Sequence, residues 1–257
     1  MRNLLTFTSV ALSLIVALPI HAKSFQVTTN NDSGPGSLRT AIIDANTESG
    51  YDTISISVGG SIILETNPCP SGINILGIIT DSLCIIGNGI EIQTEVSGRF
   101  FQNDDFLKVE DISFVGASAV LNAGAIWCGA DAIFYRCSFE SNNAPGSGGA
   151  IRNTGGENII FEDCTFKSNL AGNDGGAINL RQNAQLELRG CRFEGNIAIG
   201  SGNAIYIDQS SLILKDDCQF VDVLPPLQEI IANNSVITLP LSFSVPIGGI
   251  MVFTITP

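Results

Sequence analysis

A threefold repeat decides the fold: GGAIRNTGGENIIFEDCTFKSN (148–169), GGAINLRQNAQLELRGCRFEGN (175–196) and GNAIYIDQSSLILKDDCQF (202–220). Its two markers, Gly-Gly/Asn-Ala-Ile and Cys-x-Phe, each recur every 27 residues, and the second begins 16 residues after the first in every copy. A shorter copy lies upstream, with AGAI at 123–126 and Cys-Ser-Phe at 137–139. Repetition at such a period is typical of a solenoid, a propeller or another repeat array.

The apolar residues within one period alternate, as in QLELR (185–189) and SLILK (211–215). Alternation predicts strands, and clusters of Gly, Asn, Asp and Ser separate about three such runs per period. A propeller blade needs roughly 40 residues or more, and the leucine frame of a leucine-rich repeat is absent. We therefore predict an all-β protein, a right-handed parallel β-helix with about 25–27 residues per coil.

Equivalent residues of successive coils in such a fold stack about 4.8 Å apart, so each repeated residue type predicts a ladder. The ladders are a column of thiols, a stack of phenylalanines and a row of asparagines: Cys137, Cys164, Cys191 and Cys218; Phe139, Phe166, Phe193 and Phe220; Asn142, Asn169 and Asn196. Metal sites use closely spaced cysteines or mixed Cys and His ligands. Cysteines one coil apart are instead interpreted as small buried hydrophobes, and we predict no metal or cofactor.

The first 22 residues have the pattern of a secretory signal peptide: one Arg near the start, an apolar centre, Pro19 and a small residue at Ala22. We predict export, cleavage near Ala22 and no transmembrane span in the mature chain. Cleavage removes His21, the single histidine, so sites that depend on histidine as nucleophile partner, acid, base or metal ligand are excluded. The sequence leaves open whether Cys69 and Cys84 form a disulfide in the exported chain.

After the signal peptide, a strand at Phe25 precedes a short amphipathic helix with Ser37 as its N-cap. Leu38, Ala41, Ile42 and Ala45 fall on one face of this helix. Because a solenoid must cover its open end, we expect the strand and helix to cap the first coil. The predicted organisation is as follows: signal peptide 1–22 and one β-helix domain 23–257, with the cap at 23–52, irregular coils at 53–122, regular coils at 123–228 and a degenerate coil with tail at 229–257.

Two segments resemble known proteins. NNDSGPGSLRTAIIDAN (30–46) followed by YDTISIS (51–57) resembles the N-terminal segment of secreted bacterial β-helix proteins of the pectin-lyase-like superfamily. The GGAI units, paired with FESN (139–142), FKSN (166–169) and FEGN (193–196), resemble the repeats of the chlamydial polymorphic outer membrane proteins. This resemblance implies a secreted or outer-membrane-associated protein of the adhesin class. The copy at 202–220 departs from the pattern, with Asn203 in place of the second glycine.

The chain carries 25 acidic against 12 basic residues, a formal net charge of −13. Without a basic patch, binding to nucleic acid is disfavoured. The partners we expect are a glycan, a host surface or a cell-envelope component, bound by a non-enzymatic module.

An enzymatic alternative rests on outward carboxylates. β-Helix lyases and hydrolases use clustered acidic residues with an Arg or Lys base, and the residues available here are Asp163, Glu187, Asp217 and Arg189, with Arg152, Arg181 and Arg192 as further partners. A solvated outer face of mixed charge explains the same residues.

The Asn173-Asp174-Gly175-Gly176 turn is not expected to bind calcium, because calcium-binding β-rolls repeat every nine residues. A third possibility is a truncated autotransporter passenger without its barrel.

Overall fold

A computed structural model describes residues 22–47, 49–69, 72–215, 217–221, 230–239 and 253–256. Apart from Ala22, the predicted signal peptide lies outside this part of the chain. The described residues form parallel strands stacked as a β-solenoid of about eight turns, together with one short helix. The predicted parallel β-helix is therefore confirmed.

The first part of the chain, which holds the less regular coils, has the following elements: β1 (Ser24–Val27), α1 (Leu38–Ala45), β2 (Asp52–Ile56), β3 (Ser61–Leu64), β4 (Ile78–Ile79), β5 (Leu83–Thr94), β6 (Phe101–Asn103) and β7 (Leu107–Val115). The regular coils and the end of the chain follow: β8 (Ile126–Cys128), β9 (Ala132–Tyr135), β10 (Ser138–Glu140), β11 (Asn143–Ala144), β12 (Ile151–Asn153), β13 (Asn158–Glu162), β14 (Thr165–Lys167), β15 (Leu170–Ala171), β16 (Ile178–Arg181), β17 (Gln185–Arg189), β18 (Arg192–Glu194), β19 (Ile197–Ala198), β20 (Ile205–Asp208), β21 (Ser211–Leu214), β22 (Gln219–Val221), β23 (Ile230–Asn233), β24 (Val236–Thr238) and β25 (Phe253–Thr256).

The coils build three walls. The first wall stacks the strands that precede the ladder cysteines, together with the last aligned strand: β9, β13, β17, β21 and β24. The second wall stacks the Cys-x-Phe strands: β10, β14, β18 and β22. The third wall is an eight-stranded sheet that contains the Ala-Ile strands: β4, β6, β8, β12, β16, β20, β23 and β25. A three-stranded sheet of β11, β15 and β19 lies between the second and third walls along the chain.

The first and second walls meet at a corner formed by left-handed residues. β7 crosses this corner without a break, since Leu107–Glu110 pair with β9 and Ser113–Val115 with β10. At the corner Asp111 has a φ of 55°, and Arg136, Asp163 and Gly190 have φ values of 50°, 53° and 58° in the following coils. Only Gly190 is the residue type that adopts this conformation without steric cost. The corner is thus a property of the stacked backbone, which glycine alone does not explain.

The core is one continuous column of the repeated side chains. The rings of Phe139 and Phe166 stack with centroids 5.0 Å apart, Phe166 and Phe193 follow at 4.8 Å, and Phe193 and Phe220 at 4.9 Å. Edge-to-face contact with Phe161, at 5.0 Å from Phe166, joins this stack to the first wall. Stacked and edge-to-face pairs are the favoured geometries of aromatic rings, so the aromatic ladder stabilises the coils beyond its burial.

Small residues let the coils approach at the third wall. Ala150, Ala177 and Ala204 are fully buried, and the amide of Ala150 donates to the carbonyl of Ala177 at 3.0 Å. A Cβ on Gly176 would lie 2.6 Å from the carbonyl carbon of Ile197. The repeated Gly-Gly-Ala unit is therefore explained by close backbone packing between coils.

The predicted N-terminal cap is also confirmed. Ser37 is the N-cap of α1, and its hydroxyl accepts a hydrogen bond from the amide of Thr40 at 3.3 Å. The apolar face of the helix, Leu38, Ala41, Ile42 and Ala45, is buried in the core. Arg39 is also buried, because it pairs with Asp32 and donates to the carbonyl oxygens of Ile75 and Thr66.

In the irregular coils, short apolar runs of the sequence form strands with one exception. β3, β5 and β7 fall on the runs at 61–65, 83–92 and 106–116. The run INILGIIT (73–80) contributes only β4 and an isolated bridge between Asn74 and Arg99. This segment turns at Gly77, where φ is 99°, and the turn divides an otherwise continuous apolar sequence.

Candidate functional site

The asparagine row forms a hydrogen-bonded ladder inside the solenoid. Asn142, Asn169 and Asn196 are 0%, 0% and 6% exposed. The Nδ2 of Asn169 donates to the Oδ1 of Asn196 and to the carbonyl of Phe139, both at 2.9 Å. Asn142 repeats the pattern one coil earlier, with its Nδ2 bonded to the Oδ1 of Asn169 at 3.1 Å. The side-chain amides form hydrogen bonds with one another and with the backbone of the turn, so the role of this row is structural.

The thiols form a second buried ladder. Cys137, Cys164 and Cys191 are at most 2% exposed, and Cys218 is half-buried. The Sγ of Cys164 contacts the carbonyl of Phe134 at 3.4 Å, and that of Cys191 contacts the carbonyl of Phe161 at 3.4 Å. Burial raises the pKa of the Cys164 thiol well above its usual value. A protonated, enclosed thiol is a poor nucleophile.

Cys69 and Cys84 are both thiols in the structure. Cys84 is buried, and burial raises the pKa of its thiol.

The residues of the enzymatic alternative lie on and beside the first wall, where Glu187 and Arg189 form ion pairs. The Nε of Arg189 lies 2.9 Å from the Oε1 of Glu187, and its Nη1 lies 3.3 Å from the Oε2 of Glu162. The ammonium of Lys215 approaches the same Glu187 oxygen at 3.7 Å. Asp163 and Asp217 occupy left-handed turn positions, with φ values of 53° and 68°. These residues line neither of the two clefts described below.

Arg152 and Arg181, which the sequence suggested as partners for those carboxylates, lie on another wall. Strand pairing aligns Trp127 with Arg152, Arg152 with Asn179, and Asn179 with Tyr206. Their neighbours in each strand point into the core, so alternation places this row on the outer face of the third wall. Arg181 lies two residues after Asn179 and points outward from the same strand. The sequence-based grouping of Arg152 and Arg181 with Glu187 is therefore not the arrangement in the structure.

A cleft of about 380 Å³ opens beside this row. Its lining consists of two arginines, one carboxylate and short polar or glycine residues: Asn122, Ser147, Arg152, Asn173, Asp174, Arg181 and Gly200. We call it the arginine cleft. The volume falls in the range of small-molecule sites.

Hydrogen bonds and aromatic rings fix the two arginines of the cleft. The Nη1 of Arg152 donates to the Oδ1 of Asn122 at 2.5 Å, and its guanidinium carbon lies 5.5 Å from the ring centroid of Trp127. The Nη2 of Arg181 lies 3.0 Å from the Oδ2 of Asp174, and its guanidinium carbon lies 5.2 Å from the ring centroid of Tyr206. The geometry resembles a pair of preorganised anion-binding groups.

Positive charge accumulates around the cleft. Arg99, only 4% exposed, lies on the Trp127 ring at 5.0 Å, so the indole contacts both Arg99 and Arg152. Burial, together with the charge of Arg152, lowers the pKa of Arg99 to about 10. Burial and the charge of Arg181 lower the pKa of Arg152. Three neighbouring arginines that disfavour one another's charge form an environment that attracts anions.

A second cleft, of about 470 Å³, is uncharged. It follows a corner of the solenoid and is lined by amide, hydroxyl and alanine residues: Asn183, Ala184, Gln209, Ser210, Ser211 and Asn234. Asn183, Gln209 and Asn234 have left-handed φ values of 65°, 51° and 46°. Their repetition at one corner accounts for this groove as part of the coil geometry.

Sequence reasoning missed the arginine cleft, although a signal for it existed. Trp127, Arg152, Asn179 and Tyr206 follow one another at intervals of 25, 27 and 27 residues. Each is the second residue of its strand, directly after the buried isoleucine of the Ala-Ile unit. The row was obscured because its members differ in chemical type, whereas the core ladders repeat one type.

Two segments of the chain match a known family model. Residues 136–154 and 163–181 match the family model of the Chlamydia polymorphic membrane protein repeat. No curated protein matches the chain. The described part of the chain contains no helix that is both long and apolar enough for a membrane span. Together, the repeat match and the solenoid fit a β-helix repeat protein like the polymorphic membrane proteins, and the repeat family suggests a surface or outer membrane location.

Proposed function

We propose that this polymorphic membrane protein-like β-helix repeat protein is a non-enzymatic binding module of the adhesin class, exported by its signal peptide and presented at the cell surface. The observation that carries the proposal is the arginine cleft, where fixed cationic groups and neutral polar groups face outward together. The partner is a glycan, a host surface or a cell-envelope component. A rigid wall of stacked coils suits this task, because it holds the side chains of several coils in constant register.

The ion pairs of Glu187 and Glu162 favour binding over catalysis at these two carboxylates. Glu187 is engaged by Arg189 and Lys215, and Glu162 by Arg189. A glycosidase or lyase needs a carboxylate whose pKa and position suit proton transfer to or from the sugar. Mutual ion pairing on an exposed surface is the ordinary arrangement of a solvated face.

An adhesion assay tests the proposal. Beads coated with the full chain are applied to layers of cultured animal cells and to immobilised cell-envelope glycans, and retention under flow is counted. We expect retention that saturates, that is competed by soluble protein, and that is lost when the chain is denatured before coating. Equal retention of native and denatured beads on both surfaces would show the proposal to be wrong.

A turnover assay addresses the enzymatic alternative directly. The chain is incubated with polyuronates and calcium, and unsaturated products are followed by their ultraviolet absorbance. The binding proposal predicts no turnover. Turnover that is abolished by Asp163→Ala would overturn it in favour of a lyase.

The export step has its own test. N-terminal sequencing of protein recovered outside the cytoplasm is expected to begin at Lys23. Recovery only of full-length chain beginning at Met1 would contradict signal peptide cleavage near Ala22.

A further inference from the structure

We propose that the arginine cleft binds the carboxylate of an acidic saccharide, with Arg152 and Arg181 as the residues that contact the acid group. This inference rests on the proposed binding function and names the ligand class of the same site.

The first argument is the number of donors that the protein leaves unused. A guanidinium group carries five N–H donors. Arg152 makes one described side-chain hydrogen bond, to Asn122, and Arg181 makes one, to Asp174. Several donors of each arginine therefore remain for a ligand. The planar fork of arginine matches the two oxygens of a carboxylate, which favours bidentate binding.

The second argument is a set of polar atoms beside the cleft that lack partners. Asn179 is completely buried between Arg152 and Tyr206, and neither its Oδ1 nor its Nδ2 has a hydrogen-bond partner. The Nε atoms of Arg152 and Arg181 also lack partners. Buried polar groups without partners are rare and cost free energy. A polar ligand that settles onto this row offsets that cost, because small side-chain shifts then supply the missing bonds.

The third argument is local charge. The lining of the cleft carries two arginines and one carboxylate, Asp174, which itself pairs with Arg181. Outside the lining, Arg99 adds a positive charge, and Asp208, aligned with Arg181 in the next coil, adds a negative one. The balance is close to one positive charge, which one carboxylate neutralises. In a chain with a net charge of −13, this local positive excess favours a ligand of opposite sign.

The other residues that line the cleft indicate which groups the ligand carries besides its carboxylate. Asn122, Ser147 and Asn173 offer amides, a hydroxyl and backbone groups, and no large apolar side chain lines the cleft among the described residues. Neutral hydrogen-bonding groups of this kind suit the hydroxyls of a sugar ring. An acidic monosaccharide unit thus satisfies both halves of the site.

Calorimetric titration of the full chain tests the assignment. The probes are a galacturonic acid trisaccharide, its methyl ester, a neutral galactose trisaccharide and a sulfated galactose trisaccharide. We expect the acid to bind at least tenfold more tightly than each of the others. Equal affinity for the acid and its methyl ester, or preference for the sulfated sugar, overturns the carboxylate assignment, as does the absence of binding to all four.

Variants locate the contact. Arg152→Gln and Arg181→Gln are each expected to weaken binding of the acid at least tenfold. Arg192→Gln is the matched control, because Arg192 is an outward arginine of the second wall that pairs with Glu194 at 2.9 Å, and it should leave the affinity unchanged. Thermal melting verifies that each variant is folded. If Arg152→Gln fails to fold, Arg152→Lys retains the charge without the fork and is expected to lose most of the preference for the acid over the sulfated sugar.

The outcome separates the two proposals. One outcome is that beads coated with Arg152→Gln or Arg181→Gln are retained on cell layers to the same extent as wild-type beads, and that the wild-type chain does not bind the uronate. This inference is then wrong, while the adhesin function stands. If neither surface retains native beads, the proposed function fails whether or not the uronate binds.

Discussion

The side-chain amide of Asn169 donates to the side-chain oxygen of Asn196 at 2.9 Å, across one full coil of 27 residues. The same oxygen of Asn196 accepts the backbone amide of Asn169 at 3.1 Å. Asn169 in turn accepts from both the backbone and the side chain of Asn142. One amide per coil therefore serves the coil before it and the coil after it.

Asn169→Leu should be one of the most destabilising single substitutions in the protein. It removes the donor to Phe139 and Asn196, leaves the backbone amide of Asn142 without its acceptor, and leaves the side-chain amide of Asn142 with only the carbonyl of Phe114. We expect the free energy of unfolding to fall by about 3–4 kcal/mol, since several buried groups lose partners. Urea denaturation followed by circular dichroism measures the change. Asn158→Leu is the control at an exposed strand position and should alter stability by no more than about 0.5 kcal/mol; equal effects of the two would contradict the ladder.

Gly176→Ala should prevent the close approach of two coils. The added Cβ would meet the backbone of Ile197 and the carbonyl oxygen of Asn203. Backbone cannot yield as a flexible side chain can, so we expect a loss of about 2–3 kcal/mol or more. Gly156→Ala is the matched control, because its nearest neighbour, the carbonyl oxygen of Asn183, is 4.0 Å away. The melting temperatures of the two variants should differ clearly, and similar values would show that packing at Gly176 is not limiting.

The thiol ladder should be protected from reagents in the native protein. Cys164 and Cys191 are 1% and 0% exposed, whereas Cys218 is half-buried. Labelling with an alkylating reagent, mapped by mass spectrometry, is expected to reach Cys218 first and Cys164 and Cys191 only after denaturant is added. Labelling of all three at one rate in buffer would mean that the coils open readily.

Stability should decline as the pH rises above about 8.5, where thiols of the unfolded chain ionise. Burial raises the pKa of Cys128 and of Cys164, so the folded chain keeps these protons while the unfolded chain releases them. The unfolded state then binds fewer protons, and the free energy of unfolding falls by up to about 1.4 kcal/mol per pH unit for each thiol. The contribution is fully present below that range. Denaturation of wild type and Cys128→Ala between pH 8 and pH 10 isolates one thiol, because Cys128 lies apart from the thiol ladder, and the variant should show the shallower decline; parallel curves would refute the assignment.

The sequence predicted most of the fold because the repeated residues are core residues. Phe166 and Asn169 recur at fixed positions, and residues one period apart must stack if the coil is regular. The N-terminal cap was also predictable, since Ser37 and the spacing of Leu38, Ala41 and Ile42 are local signals of a helix start and an apolar face. The interruption of the segment INILGIIT (73–80) by a turn at Gly77 was not predictable, because the segment is apolar almost throughout.

The candidate site was predictable only in part. Arg152 and Arg181 stood out in the sequence as cationic partners, but their nearest carboxylates along the chain lie on or beside another wall. Which outward residues meet depends on the number of residues between the walls of each coil and on the register between coils. Side-chain contacts such as those of Trp127 with Arg99 and Arg152 arise from that register.

The sequence by itself determined the architecture: a 27-residue period, ladders of Cys, Phe and Asn, and a capped first coil. These features repeat because each coil must bury the same face against its neighbours. The tertiary structure alone decided that the rings of Trp127 and Tyr206 lie against the guanidinium groups of Arg152 and Arg181, and that the two arginines line one cleft with Asp174. Outward side chains are free of the packing constraint that enforces repetition, so the functional candidate lies among residues that do not repeat.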